Sequence, residues 1–158
     1  FPVRLDEQRK WKSFLPLKTH TLQISAPKIK NLHIFGSDQQ LSAILMSKGN
    51  AQIANAIIDW TQASIEEIRI SHLNGMIVTN PPYGLRLGKN VDSVYRNLGL
   101  LHRNFLPSWS VCFLTPHKRL AGLVSKDAYR IARFPQGGLW VDLYKVQPTI
   151  PISTEQTL

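Results

Sequence analysis

Residues 75–79, Gly-Met-Ile-Val-Thr, run into Asn80-Pro81-Pro82-Tyr83-Gly84, and this pair of prolines constrains the fold more than any other feature of the chain. Proline fixes φ and has no N–H to give to a ladder, so an element entering the pair must stop there. The residue before a proline is also pushed towards extended backbone, which suits the end of a strand. A compact apolar run with so hard a stop reads as a buried strand, and α/β folds place their ligands beyond the carboxyl ends of such strands. Asn80 is thereby held rigidly at a ligand-binding edge.

The remaining pattern alternates between strands and helices. Residues 32–35 form an apolar run closed by Gly36-Ser37-Asp38, the profile of a buried strand ending in a turn. From Gln40 onward Leu41, Ile44, Leu45, Ile53, Ala54 and Ile57 fall at helical spacing, with Gly49-Asn50 as a break between two helical pieces. A short strand is predicted over 57–60, a helix over 91–105, a strand over 109–115 and a helix over 117–123. Two closing strands near 129–134 and 139–146 are joined through Gln136-Gly137-Gly138, a hairpin turn. The expected fold class is therefore α/β, with a mostly parallel sheet and a closing antiparallel hairpin. Residues 1–30 read as an irregular basic arm with one short helix near 6–14, residues 31–147 as the folded domain and 148–158 as a tail.

At 158 residues and 43% hydrophobic, the chain is sized for one domain with a real core. Cys112 is its single cysteine, which excludes a disulfide framework, and no Cys/His cluster has metal-ligand spacing. No apolar run approaches the about 20 residues needed to span a bilayer, so a membrane role is not expected and the cytoplasm is the default location. The net charge of +9 is patterned: Arg4, Arg9, Lys10, Lys12, Lys18, Lys28 and Lys30 crowd the front, while Arg86, Lys89, Arg96, Arg103, Lys118 and Arg119 follow the proline pair. Such a surplus favours a polyanionic partner through counterion release, and nucleic acid is the natural candidate.

Beyond the prolines the chemistry is local. The Asn80 side-chain oxygen can accept a hydrogen bond, and the prolines contribute no N–H to compete, so nearby carbonyls are free to accept as well. Together they make a receptor for an –NH₂ group. Tyr83 offers a flat face to a heteroaromatic ring, and Gly84 lets the backbone pass close by. A nucleobase with an exocyclic amine satisfies both elements. The structural alternative is a Pro-Pro turn with Asn80 as a local cap and Tyr83 as packing.

The tetrapeptide Asn80-Pro81-Pro82-Tyr83 resembles the motif of amino-group methyltransferases, which include adenine-N6 DNA and RNA enzymes, guanine-N2 RNA enzymes and release-factor glutamine enzymes. Its extension through Gly84-Leu85-Arg86-Leu87-Gly88 is similar to the version in THUMP-linked rRNA guanine-N2 methyltransferases. Tyr95, Leu98, Gly99, Trp109, Leu114-Thr115 and the late Gly-Gly-Leu also fall where that family would place them, so the resemblance runs from about Ile34 to Val146. It implies a Rossmann-like class I domain, S-adenosylmethionine as methyl donor and RNA, above all rRNA, as partner. Asn80, Pro81, Pro82 and Tyr83 would form the catalytic turn. Asp38, Ser64 and Asn80 would face the donor, with Asp38 on its ribose hydroxyls and Ser64 where the family usually has an acid, Glu66 and Glu67 being displaced by two or three residues. Tyr83, Arg86 and Lys89 would contact the substrate. For Asp38 a helix-cap or turn role is the competing reading.

The resemblance breaks at the front. The family's first strand and its Gly-rich donor loop, of the form Pro-Phe-Cys-Gly-Ser-Gly-Thr, have no counterpart before Leu32, and residues 1–15, with Phe1 and Trp11, resemble the stretch that follows the first helix. The expectation is a partial domain whose first strand is absent, leaving two half-sheets around a central gap. Two alternatives accompany it: an adenine-N6 nucleic-acid methyltransferase, and a catalytically silent RNA-binding remnant.

Overall fold

A computed structural model describes residues 32–83 and 91–150. The chain divides into a unit Phe1–Ile34 and a unit Phe35–Leu158, and the architecture below is that of the second. The basic arm, its short helix and the end of the tail lie outside the described residues.

The elements run β1 (Phe35–Asp38), α1 (Leu41–Ile53), β2 (Asp59–Gln62), β3 (Met76–Thr79), α2 (Val91–Phe105), β4 (Ser110–Thr115), α3 (Lys118–Val124), β5 (Tyr129–Gln136) and β6 (Leu139–Val146). They build two separate sheets. β1 and β2 pair in parallel, while the second sheet has the order β3-β4-β6-β5, parallel between β3 and β4 and antiparallel beyond. Among the described residues no strand pairs with both sheets. Among the described residues β1 and β3 each pair on one side only.

Three local expectations are corrected. The first strand covers Gly36, Ser37 and Asp38, which its composition had marked as the closing turn. The reason is across the strand pair: Gly36 faces Trp60, and a Cβ on Gly36 would sit 2.3 Å from the indole ring, so glycine is what lets the two strands meet. The second strand likewise starts at Asp59, leaving Ile57 exposed in the connection. The helix α1 runs unbroken through Gly49-Asn50, because nothing crowds Gly49 and the hydrogen-bond ladder continues past it. At the other end, Thr149 N–H donates to the Pro107 carbonyl at 2.7 Å, so the chain just past Pro148 is still held.

The main core belongs to the four-stranded half. α2 buries Tyr95, Leu98, Gly99, Leu101 and His102 along one face, with Asp92 in its first turn and Arg103 in its last, as the helix dipole favours. Tyr95 and Leu98 meet Val111 and Phe113 of β4, Leu120 and Val124 of α3, and Tyr144 and Val146 of β6. Gly99 permits this contact, since an added Cβ would lie 2.4 Å from the Val124 carbonyl oxygen. A second cluster gathers Leu101, Leu106 and Trp109 under Ile65, Ile68 and Ile70 of the long connection after β2. That connection is pinned by the Trp109 indole N–H, which donates to the His72 carbonyl at 3.1 Å. The closing hairpin turns on Gly137 (φ 56) and Gly138 (φ 83), both in the left-handed region that a two-residue primed turn requires.

His102 gives the fold a pH dependence. Its Nε2 lies 2.9 Å from the Trp109 carbonyl, which can only accept, so Nε2 carries the hydrogen. Burial drives its pKa below the ordinary value, against the Trp109 hydrogen bond, which raises it, and with Arg103, whose charge lowers it further. The unfolded chain therefore takes up this proton more readily than the folded one, and stability is lost as the pH falls below about 6.5. Urea midpoints are expected to be lower at about pH 5.5 than at about pH 7.5, with a smaller difference in His102→Gln. An unchanged difference in that variant would clear His102 of the effect.

Candidate functional site

The proline pair does at the end of β3 what its chemistry demands. β3 stops at Thr79, in register with Phe113 of the neighbouring parallel strand, and the chain leaves the sheet at Asn80. Pro81 is buried and Pro82 half-buried, so the turn is anchored from below, while Asn80 is exposed and its amide takes no hydrogen bond from the described residues. A preorganised, unsatisfied amide at a sheet edge is able to receive a donor from outside.

Tyr83 is fixed at both ends. Its ring packs against the main core cluster and its hydroxyl donates to Gln136 Oε1 at 3.1 Å. Gln136 closes β5, and the pairs Thr115↔Asp142 and Gln136↔Leu139 bring the β5–β6 turn to the same edge as the carboxyl ends of β3 and β4. The start of α2 and the residues after β4 also meet here. Arg119 donates to both oxygens of Asp92, at 2.7 and 2.8 Å, and this guanidinium holds the Asp92 carboxyl below its ordinary range. A bidentate pair of this kind ties α3 to α2 beside the turn.

A second group forms at the carboxyl ends of β1 and β2. The Asp38 Oδ1 accepts the Gln40 N–H at 2.7 Å, just before α1, so one carboxylate oxygen serves the turn and the other remains available. The Asp38 carbonyl accepts the Ala63 N–H at 3.1 Å, which brings the approach to Ser64 alongside. Ser64 N–H in turn donates to Glu67 Oε2 at 2.8 Å. That hydrogen bond and a second from the serine side chain lower the Glu67 pKa, although the residue is exposed. The carboxylate displaced in sequence is thus folded back onto Ser64 in space. Ile65, next in the chain, packs on the same core cluster as Tyr83.

The structure therefore brings Asn80, Pro81, Pro82 and Tyr83 together at one edge and Asp38 and Ser64 at another strand pair. Arg86 and Lys89 lie outside the described residues. Gln136, whose contact with Tyr83 is long-range, escaped the sequence, and Glu67, visible there only as a displaced acid, has with Ser64 the Ser-x-x-Glu spacing of a capping box. Among the described residues no group of acids, histidines and cysteine could hold a metal ion, and no helix is long and apolar enough to cross a membrane.

Comparison with known proteins bears on the family and the fold. The family described as an RMKL-like methyltransferase domain, UPF0020, matches residues 5–142. YpsC of Bacillus subtilis, provisionally named an RNA methyltransferase, is 31% identical over 74% of this chain and 32% of its own length. The ribosomal RNA large subunit methyltransferase K/L of Syntrophotalea carbinolica is 28% identical over 67% of this chain and 16% of its own length. The chain thus spans a third or less of these relatives. Among solved structures, one provisionally described as a methyltransferase, complexed with S-adenosylhomocysteine, superposes with a TM-score of 0.69 at 24% identity, over 86% of this chain and 37% of that one. A protein from Listeria monocytogenes, described as a predicted N6-adenine-specific DNA methylase, gives a TM-score of 0.58 at 28% identity, over 71% and 29%. The fold is Rossmann-like, of the class shared by these methyltransferases.

Proposed function

Because the chain belongs to the RMKL-like methyltransferase domain family, we propose that it is part of an enzyme that transfers a methyl group from S-adenosylmethionine to an exocyclic amine of a nucleobase in RNA, guanine N2 of ribosomal RNA first. The observation that carries the reading is Asn80, exposed on a rigid turn at the carboxyl edge of β3 with no hydrogen-bond partner among the described residues. Its amide oxygen and a turn carbonyl accept the amine protons and leave the nitrogen lone pair free to point at the methyl group. An aryl amine is a poor nucleophile, and acceptors that draw its protons outward help most as positive charge develops on nitrogen. Tyr83, braced by Gln136, offers an aromatic face to the base. A base that begins in a helix must first be extruded, which a looped or single-stranded RNA makes easier.

S-adenosylmethionine supplies the methyl group, and the acids present suit its polar half: the free oxygen of Asp38 can accept from ribose hydroxyls, and Glu67 at Ser64 can accept from an amine. Arg86 and Lys89 follow the Tyr83 turn in sequence and are cations suited to substrate phosphates.

Adenine N6 is the second reading, favoured by the description of the Listeria protein. One experiment separates the two. The complete protein is incubated with labelled S-adenosylmethionine and undermethylated ribosomal RNA, and the RNA is digested to nucleosides. Label in N2-methylguanosine supports the first reading and label in N6-methyladenosine the second. No label in any nucleoside, with the protein folded and its donor bound, would overturn both.

A further inference from the structure

The β5–β6 hairpin carries side chains that the turn at Asn80 does not use. Trp140 is 59% exposed and its neighbour Leu139 55%, beside a turn that already touches the site through the bond between Tyr83 and Gln136. Cross-strand pairing sets Trp140 opposite Pro135 and Asp142 opposite Arg133, so Trp140, Asp142 and Arg133 share one face. The Arg133 guanidinium lies 5.8 Å from the Trp140 ring centre. Asp142 is nearly buried, its Oδ1 takes no hydrogen bond, and two guanidiniums face it: Arg133 at 3.3 Å and Arg130 at 3.6 Å.

One carboxylate cannot neutralise two arginines, so this face keeps a net positive charge beside an open indole. Both arginine side chains are about half exposed, 52% in each case, and each guanidinium has five N–H donors, more than one shared carboxylate oxygen can take. A large exposed aromatic next to a cation at a substrate edge matches a ligand made of a flat ring and an anion. Single-stranded nucleic acid offers that combination at every nucleotide.

We propose that the β5–β6 hairpin is a second RNA contact of this domain, in which Trp140 stacks on a base flanking the target nucleotide while Arg133 and Arg130 take the adjoining phosphate. The proposal rests on the reading of the domain as an RNA-modifying one and adds the element that holds the strand on either side of the reacting base. The hairpin's reach to Tyr83 through Gln136 would couple the two contacts, one for the base that reacts and one for its neighbour.

The test is binding of a fluorescently labelled single-stranded RNA oligonucleotide by the complete protein, followed by anisotropy across a salt series. Trp140→Ala is expected to weaken binding about tenfold at fixed salt, and Trp140→Phe, which keeps a ring, to stay within about threefold of the native protein. Arg133→Gln is expected to reduce the log–log salt slope by about 0.7. Thermal unfolding of each variant separates lost contacts from lost folding, and where Trp140→Ala proves unstable Trp140→Phe decides. Native-like affinity in Trp140→Ala, or a loss in Trp140→Phe as large as in Trp140→Ala, overturns the hairpin contact while native RNA binding leaves the broader reading standing. A native protein that binds no RNA at any salt overturns the reading underneath, and the hairpin contact with it.

Discussion

Replacing Asn80 with alanine in the complete enzyme is expected to lower turnover by about two to three orders of magnitude, the usual effect of deleting one preorganised polar contact to an atom that develops charge. Donor affinity should change little, because the amide chiefly serves the substrate amine. Folding should survive as well: the turn is set by Pro81 and Pro82 and by β3 pairing with β4, and the exposed Asn80 side chain supports none of the described hydrogen bonds. Single-turnover kinetics with donor calorimetry in parallel would check this. Full activity in Asn80→Ala would leave Asn80 as no more than the polar end of a Pro-Pro turn.

The second large effect concerns the methyl donor. The 158-residue chain alone is expected to bind S-adenosylmethionine at least about a hundredfold more weakly than the complete protein. On the donor side it presents one free oxygen of Asp38 and a Glu67 carboxylate already engaged by Ser64. It has no glycine before Gly36, hence no Gly-rich turn ahead of β1 whose N–H groups could approach the methionine end. Two hydrogen bonds to charged groups, at about 1.5 kcal/mol each, account for a difference of that size. Calorimetry on both proteins would measure it directly. Equal affinities would mean that the chain holds donor contacts beyond those acids.

How much of this was legible in advance depended on how local the cause was. The end of β3 and the hairpin at Gly137-Gly138 follow from proline and glycine chemistry within a few residues, and the structure has both where expected. The amphipathic face of α2 is equally local, and its bounds agree with the spacing of Tyr95, Leu98 and His102. The sequence pattern puts β1 three residues early because the reason for Gly36 is Trp60, a residue on another strand. Glycine read alone suggests a turn; glycine read against an indole is a close approach. The same holds at the site. Asn80 and Tyr83 stood out through their neighbours in the chain, whereas Gln136 reaches Tyr83 from 53 residues away. Glu67 is legible in another way, since Ser64 and Glu67 have capping-box spacing although the acid is displaced from the position the resemblance would give it.

The split of the sheet into unequal halves has a consequence for the order in which the molecule opens. The four-stranded half surrounds Tyr95, Phe113 and Tyr144 with α2 and α3, so amides of β4 and β6 should exchange their hydrogens only when the whole unit unfolds. The β1–β2 pair has no such enclosure: α1 buries only Ile44 and Ala51 and leaves Leu45, Met46 and Ile53 in solvent, and two strands alone are marginal in water. Its amides should exchange through local opening, orders of magnitude sooner. Asp38 rides on this weaker piece, and Ser64 and Glu67 follow it on a connection that Ile65 packs against the main core. A ligand gripping Asp38 would have to close the pair first, and its apparent affinity would fall by the fraction of time the pair spends open.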